Sequence, residues 1–336
     1  MRPPASPSSR RHFLRGSLGL AGLGLLAGCG VLPNLAQPSR LSRIGYLHAG
    51  LSSARSYLEA FQSGLRDLGY VEGTNLAIEY RFAEGDTSRL PGLASELVDL
   101  RLEAIVTHAQ GVTAARRATP TIPIVMLAFA DAVAIGLIDS LAHPGGNITG
   151  STAFTAELVA KRLELLKEVE PAMTEAAFLI NPDYPVNGPI VEAIKTTADA
   201  LGVGLQTFDA RVVDDFERAF ATMAEHGLSA LVLHDDPLFV FNADLCAALA
   251  TKHHLAAIGS LEFARAGGMI AYGVDFRGMY RRAAYFVDRI LKGARPADLP
   301  VERPTTFQLL ANLKTARALG LTVPPSVLQQ STELIQ

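Results

Sequence analysis

Asp235 and Asp236 stand side by side just after an apolar tetrad, Ala230-Leu231-Val232-Leu233. Adjacent acids beyond a strand can bind a ligand's cation, and they can equally cap the helix that follows. The ends of other apolar runs carry further side chains with usable chemistry. Ser52 and Ser53 follow Ile44–His48, at a helix start where backbone N–H groups can hold a carboxylate and where serine also serves as a cap. His108, Gln110 and Thr113 follow Ala104–Thr107, with His108 read as a structural residue rather than a ligand. Phe129 and Asp131 follow Pro123–Leu127; they could stack on a ring and accept from an ammonium group, although Asp131 also fits a helix cap. Asn181 and Tyr184 follow Ala177–Ile180 and offer a hydrogen bond and a flat apolar face, within an Asn-Pro-Asp stretch that is also ordinary turn chemistry. Glu262 and Asp275 follow later runs.

None of these residues falls into a catalytic pattern. His253 and His254 are neighbours and point to different helix faces, and H-E-x-x-H, G-x-S-x-G and P-loop motifs are absent. Gly145-Gly146-Asn147 reads as a turn, and no set of side chains suggests a cofactor or a metal. The chemistry is that of binding.

The elements that must position these residues alternate. Ile44–His48, Leu76–Tyr80, Ala104–Thr107 and Pro123–Leu127 are short apolar runs that read as buried strands. Between them Tyr57, Leu58, Phe61, Leu65 and Leu68 share one helical face that stops at Gly69, and Leu90–Leu100 forms a second helix. The same order then repeats: strand Ala177–Ile180, a helix ending at Leu201-Gly202, strand Leu205–Phe208, a helix around Phe216–Met223 and strand Ala230–Leu233. A last unit, Met269–Tyr272 followed by a helix from Met279 to Leu291, is expected to return to the first half. The spacing predicts an α/β fold of two similar Rossmann-like lobes, each on a parallel sheet, with a central cleft. Lobe 1 is expected over 43–150 plus about 274–300, and lobe 2 over 151–273 plus about 301–330.

The first 28 residues are set apart as a signal peptide. Arg10 and Arg11 precede Phe13-Leu14, as in a twin-arginine export signal, and the apolar run Gly16–Leu26 is about half the roughly 20 residues a spanning helix needs. Leu26-Ala27-Gly28-Cys29 matches the point at which bacterial lipoproteins are cleaved and acylated, so Cys29 is the expected lipidation site, and 29–42 its tether. The expected location is periplasmic or cell-surface, lipid-anchored to a membrane. Removing the signal leaves 26 basic against 33 acidic residues, which gives no support to nucleic-acid binding. Cys246 has no second cysteine to pair with and sits in an apolar pattern, so it reads as a small buried hydrophobe.

Several segments, taken in order, resemble one family. They are Gly64-Leu65-Arg66-Asp67-Leu68-Gly69-Tyr70-Val71-Glu72-Gly73, Arg89-Leu90-Pro91, Thr121-Ile122-Pro123-Ile124-Val125 and Leu141-Ala142-His143-Pro144-Gly145-Gly146-Asn147-Ile148-Thr149-Gly150. Lys161–Lys167, Asp236-Pro237-Leu238-Phe239, Gly267–Gly273, Leu313-Lys314-Thr315-Ala316 and Leu319-Gly320-Leu321 complete the set. From Arg43 to about Pro325 the chain is similar to the lipoprotein substrate-binding components of ABC transporters whose better-known members are linked to tryptophan and other aromatic amino acids. The resemblance implies a type I periplasmic-binding-protein fold, lobe closure on a small ligand, and delivery to an ABC permease in the membrane. It places aromatic amino acids first among ligands. One residue departs from it: a proline is expected after Phe129-Ala130-Asp131, and Ala132 stands there. Two other classes of function fit two lobes and a cleft, a ligand-sensing module for a membrane receptor and an exported enzyme, and the missing catalytic motifs weigh against the latter.

Overall fold

A computed structural model of the protein describes residues 41–50, 56–128, 131–153, 155–184 and 187–336. Arg10, Arg11, Cys29, Ser52, Ser53 and Phe129 lie outside the described residues. The chain first lays down β1 (Ser42–His48), α1 (Ser56–Asp67), β2 (Leu76–Phe82), α2 (Leu90–Asp99), β3 (Ala104–Thr107), α3 (Gln110–Ala118), β4 (Ile124–Met126) and β5 (Ile148–Gly150). These strands form a parallel five-stranded sheet in the order β2-β1-β3-β4-β5. Every residue of β3, β4 and β5 is buried, as expected of parallel strands covered by helices on both faces.

The second half begins with α4 (Thr155–Val169), β6 (Glu175–Ile180), α5 (Asn187–Leu201), β7 (Gly204–Asp209), α6 (Asp215–Glu225) and β8 (Ala230–Leu233). It continues with α7 (Pro237–Val240), α8 (Ala243–Lys252), β9 (Ala256–Gly259), α9 (Leu261–Arg265), β10 (Ile270–Gly273) and α10 (Phe276–Leu291). The last elements are β11 (Gln308–Asn312), α11 (Leu313–Ala318), α12 (Pro325–Gln330) and β12 (Glu333–Ile335). The second sheet runs β12-β11-β10-β9-β8-β6-β7. The fold is α/β with two parallel-sheet lobes, as the alternating pattern predicts.

Two details differ from the expected plan. The strand of the last unit, β10, stays in the second sheet beside β9, and only α10 crosses to the first lobe. There Tyr280, Ala283, Ala284 and Val287 join Phe61 and Leu65 of α1 in one apolar cluster. The helices approach so closely that a Cβ on Gly64 would run into the carbonyl of Arg281, which explains the glycine. The second sheet is also not wholly parallel, since β11 runs antiparallel to β10. The physical reason is topological: β10 delivers the chain towards the other lobe, and the returning chain re-enters the sheet from that same edge. Crossings therefore lie at 151–153, 274–275 and 301–307. The first and third are tied together, with Glu302 N–H donating to Gly150 O at 2.9 Å and Thr152 N–H to Glu302 O at 2.9 Å. Gly150 has φ +123° where the first crossing begins, and a Cβ there would strike Met126 backbone atoms.

Candidate ligand-binding cleft

A cavity of about 480 Å³, part of it open to solvent, lies between the carboxyl ends of the two sets of strands. The first lobe supplies Tyr57 from α1, His108 and Ala109 from the end of β3, and Phe276 and Tyr280 from α10. The second supplies Thr155 at the start of α4, Tyr184 after β6, and Asp235, Pro237, Val240 and Phe241 after β8. Six of these are aromatic or imidazole rings. Its apolar, ring-lined walls suit a small organic molecule.

The first-lobe wall is a stack of rings. His48 lies 4.2 Å from His108 and 5.7 Å from Tyr46 between ring centres, and Tyr57 lies 5.0 Å from Tyr280. Into this stack reaches one second-lobe ring: Phe241 stands 5.0 Å from His48, 5.4 Å from Tyr57 and 5.6 Å from His108. Burial leaves His48 neutral, its pKa pushed down to about 4, and Gly50 N–H donates to its Nδ1 at 3.0 Å. Burial and the neighbouring His48 push His108 well below the ordinary imidazole range, and neither of its nitrogens has a hydrogen-bond partner. Ala109 holds φ +44° and ψ −127°, a strained backbone of the kind that collects at binding sites and costs about 1–3 kcal/mol.

The second-lobe wall is built differently. Arg162 of α4 is fully buried, with Nη2 donating to both oxygens of Asp235 at 2.8 and 2.9 Å, Nη1 to Leu233 O at 2.9 Å and Nε to Tyr272 O at 2.8 Å. One guanidinium thus ties the ends of β8 and β10 to the acid. Burial raises the Asp235 pKa while Arg162 opposes that rise. The acid stays charged because neutralising it would leave the guanidinium buried alone. Asp236 caps α7 by accepting from Leu238 N–H at 2.7 Å and takes a second bond from Asn181 Nδ2 at 3.3 Å, and burial raises its pKa to about 7.

The sequence pattern typical of the family described as ABC transporter substrate binding protein matches residues 48–335. The chain belongs to that family. It is 26% identical over 282 residues to a tyrosine-binding protein of Clostridioides difficile, covering 82% of this chain and 78% of that protein. Among solved structures it is similar to an ABC domain from Streptococcus pneumonia in complex with L-Trp, with TM-score 0.79, 24% identity, and 88% and 99% of the two chains covered. A conserved domain protein from Vibrio cholerae aligns with TM-score 0.81 at 25% identity over 88% of this chain and all of that one. The family fixes the general role: a solute-binding component, working outside the cytoplasm and serving an ABC transporter. No described helix is long and apolar enough to cross a membrane.

Within this substrate-binding protein the expected site residues separate. Tyr184 and Asp235 line the cavity. Asp131 caps its own loop through Val133 and Ala134 N–H, both at 3.1 Å, and pairs with Arg303 at 3.2 Å. Asp236 fits the capping alternative, Asp131 orders a loop with no helix after it, and Asp275 caps α10 through Gly278 N–H at 3.0 Å. Asn181 orders its turn by accepting from Asp183 N–H at 3.1 Å. Gln110 and Thr113 sit on α3, half-buried, and Glu262 lies behind the lining next to Tyr57. Ala132, where the resemblance leads one to expect proline, donates its N–H to Thr152 Oγ1 at 3.2 Å, which a proline cannot do. Tyr57, Phe241, Phe276, Tyr280 and Arg162 were not foreseen as site residues. A fully buried arginine cannot be told from a surface one in a helix sequence, and lone aromatics signal core as readily as cleft.

Proposed function

We propose that the protein is the lipid-anchored solute-binding component of an ABC importer and that it takes up an amino acid with an aromatic side chain. The observation that carries this reading is the cavity walled by rings from both lobes, with Phe241 of one reaching into the stack of the other. A planar side chain would lie among these rings and be desolvated by them, while polar atoms at the margins orient its amino and carboxyl groups. Contacts from both lobes exist only when the lobes meet, so the ligand favours the closed form by its differential affinity. The names of the relatives, one tyrosine-binding and one complexed with L-Trp, support the same ligand class. Export would follow Arg10-Arg11, and the anchor would be a lipid on Cys29, delivering the binding domain to a permease at the membrane.

A thermal-shift screen of the purified protein against amino acids and small carboxylates tests the reading. A ligand at 100 times its dissociation constant adds about 2.7 kcal/mol of stability, a readily measured rise in midpoint. The expected hits are Trp, Tyr or Phe. A hit confined to aliphatic or acidic compounds would contradict the ligand class.

A further inference from the structure

The charges around the cleft do not balance, and the imbalance has an address. Arg162 and Asp235 neutralise each other, and the guanidinium's remaining bonds go to two backbone carbonyls. Asp235 reaches the cavity with its charge already answered by Arg162. Glu262, on α9 of the second lobe, is different. Its Oε2 is buried without a hydrogen-bond partner, and so is the Tyr57 hydroxyl, which belongs to α1 of the first lobe and lines the cavity. The two groups are close enough to influence each other's ionisation, and Glu262 is also within electrostatic reach of Tyr280 and Asp235. Arg265, a cation that acts on it, is exposed and pairs with Glu333 at 3.5 Å. The Tyr57 hydroxyl can turn to Glu262 but brings no charge, so a buried acid with no ion-pair partner calls for a donor bearing positive charge.

We propose that Tyr57 and Glu262 form the subsite for the ligand's amino group, with the ammonium donating to the Tyr57 oxygen and the Tyr57 hydroxyl donating to Glu262. This rests on the reading of the ligand as an amino acid. Asp235, the more conspicuous acid, is then a positioning residue that keeps Arg162 and the strand ends in place. Because Tyr57 and Glu262 come from opposite lobes, an amine held by both rewards closure directly. Burial raises the Glu262 pKa by disfavouring the bare carboxylate, a cost that an ammonium beside it would offset.

Isothermal titration with L-Phe, L-Tyr and L-Trp, and with the matching deaminated acids such as 3-phenylpropanoate, tests the assignment. In Glu262→Gln the amino acids should bind at least 30-fold more weakly than in the wild type, and the deaminated acids less than threefold more weakly. Tyr57→Phe should weaken the amino acids at least fivefold and spare the deaminated acids. It also decides the matter if Glu262→Gln fails to fold. Unchanged amino-acid affinity in the variants, or an equal loss for both ligand kinds, overturns the subsite and leaves the ligand class standing. Failure of the wild type to bind any of the three amino acids overturns the ligand class, and the subsite with it.

Discussion

The two walls of the cleft use buried polar groups in opposite ways. In the second lobe Arg162, Asp235, Asp236 and Asn181 answer one another's hydrogen bonds without a ligand. In the first lobe His108 and Tyr57 are packed among rings with their polar atoms unanswered. The difference teaches which wall is scaffold and which is receptor, since an unmet buried polar group costs about 1–3 kcal/mol and a ligand that meets it recovers that cost. In the second lobe His234 joins Glu262, whose Oε2 is also unpartnered. His234 is buried with both nitrogens unpartnered, 4.9 Å from the Tyr184 ring, and its pKa is pushed down to about 3 by burial and by Arg162.

The largest effect should come from breaking the scaffold. Arg162→Met leaves Asp235 buried without its cation and should cost about 3–5 kcal/mol in urea unfolding. Replacing Asp235 by Leu in the same chain should restore most of that loss; a loss below 1 kcal/mol in the single variant would mean the pair is not structural. The next effect concerns pH. His234 stays neutral in the fold down to about pH 3, while the unfolded chain takes up a proton near its ordinary pKa of about 6.5. Its folded pKa is lowered, so stability is lost as pH falls below 6.5. Between pH 7 and pH 5 the wild type should lose about 2 kcal/mol relative to His234→Phe. An unchanged difference would mean that His234 is charged or solvated in the native state.

Phe241→Ala sharpens the comparison from the other side, by removing the only second-lobe ring described here as touching His48, Tyr57 and His108. Ligand affinity should fall about tenfold, or 1.4 kcal/mol, in a calorimetric titration. The smallest effect is expected at Ala132. Proline there removes the bond to Thr152 Oγ1 and should cost about 1 kcal/mol in thermal unfolding, whereas a stabilised variant would show that the stiffer loop outweighs the bond.

Much of the fold is legible in the chain because buried parallel strands are written as unbroken apolar runs. Ile44–His48, Ala104–Thr107 and Ala230–Leu233 each coincide with a strand. The strands that escape notice have other compositions: β9 is Ala-Ala-Ile-Gly, β11 begins with Gln and ends with Asn, and β12 is three residues at the sheet edge. Of the site, the rule that ligands sit beyond strand ends located Tyr184 and Asp235. It could not reveal that Asp235 is held by a helix residue 73 positions earlier, or that Phe241 packs in the opposite lobe. Such pairings are set by tertiary packing, and no local spacing encodes them. Cys246, by contrast, needed only its apolar neighbours: it is buried and unpaired, its thiol pushed up to about 12 by burial.

The most direct test of the account is calorimetric titration of the purified protein with L-tryptophan, L-tyrosine and L-phenylalanine at several temperatures. Burial of an aromatic side chain among the rings of both lobes predicts saturable binding of at least one of them with a negative heat-capacity change. Absence of binding by all three, or binding with no heat-capacity change, would contradict it.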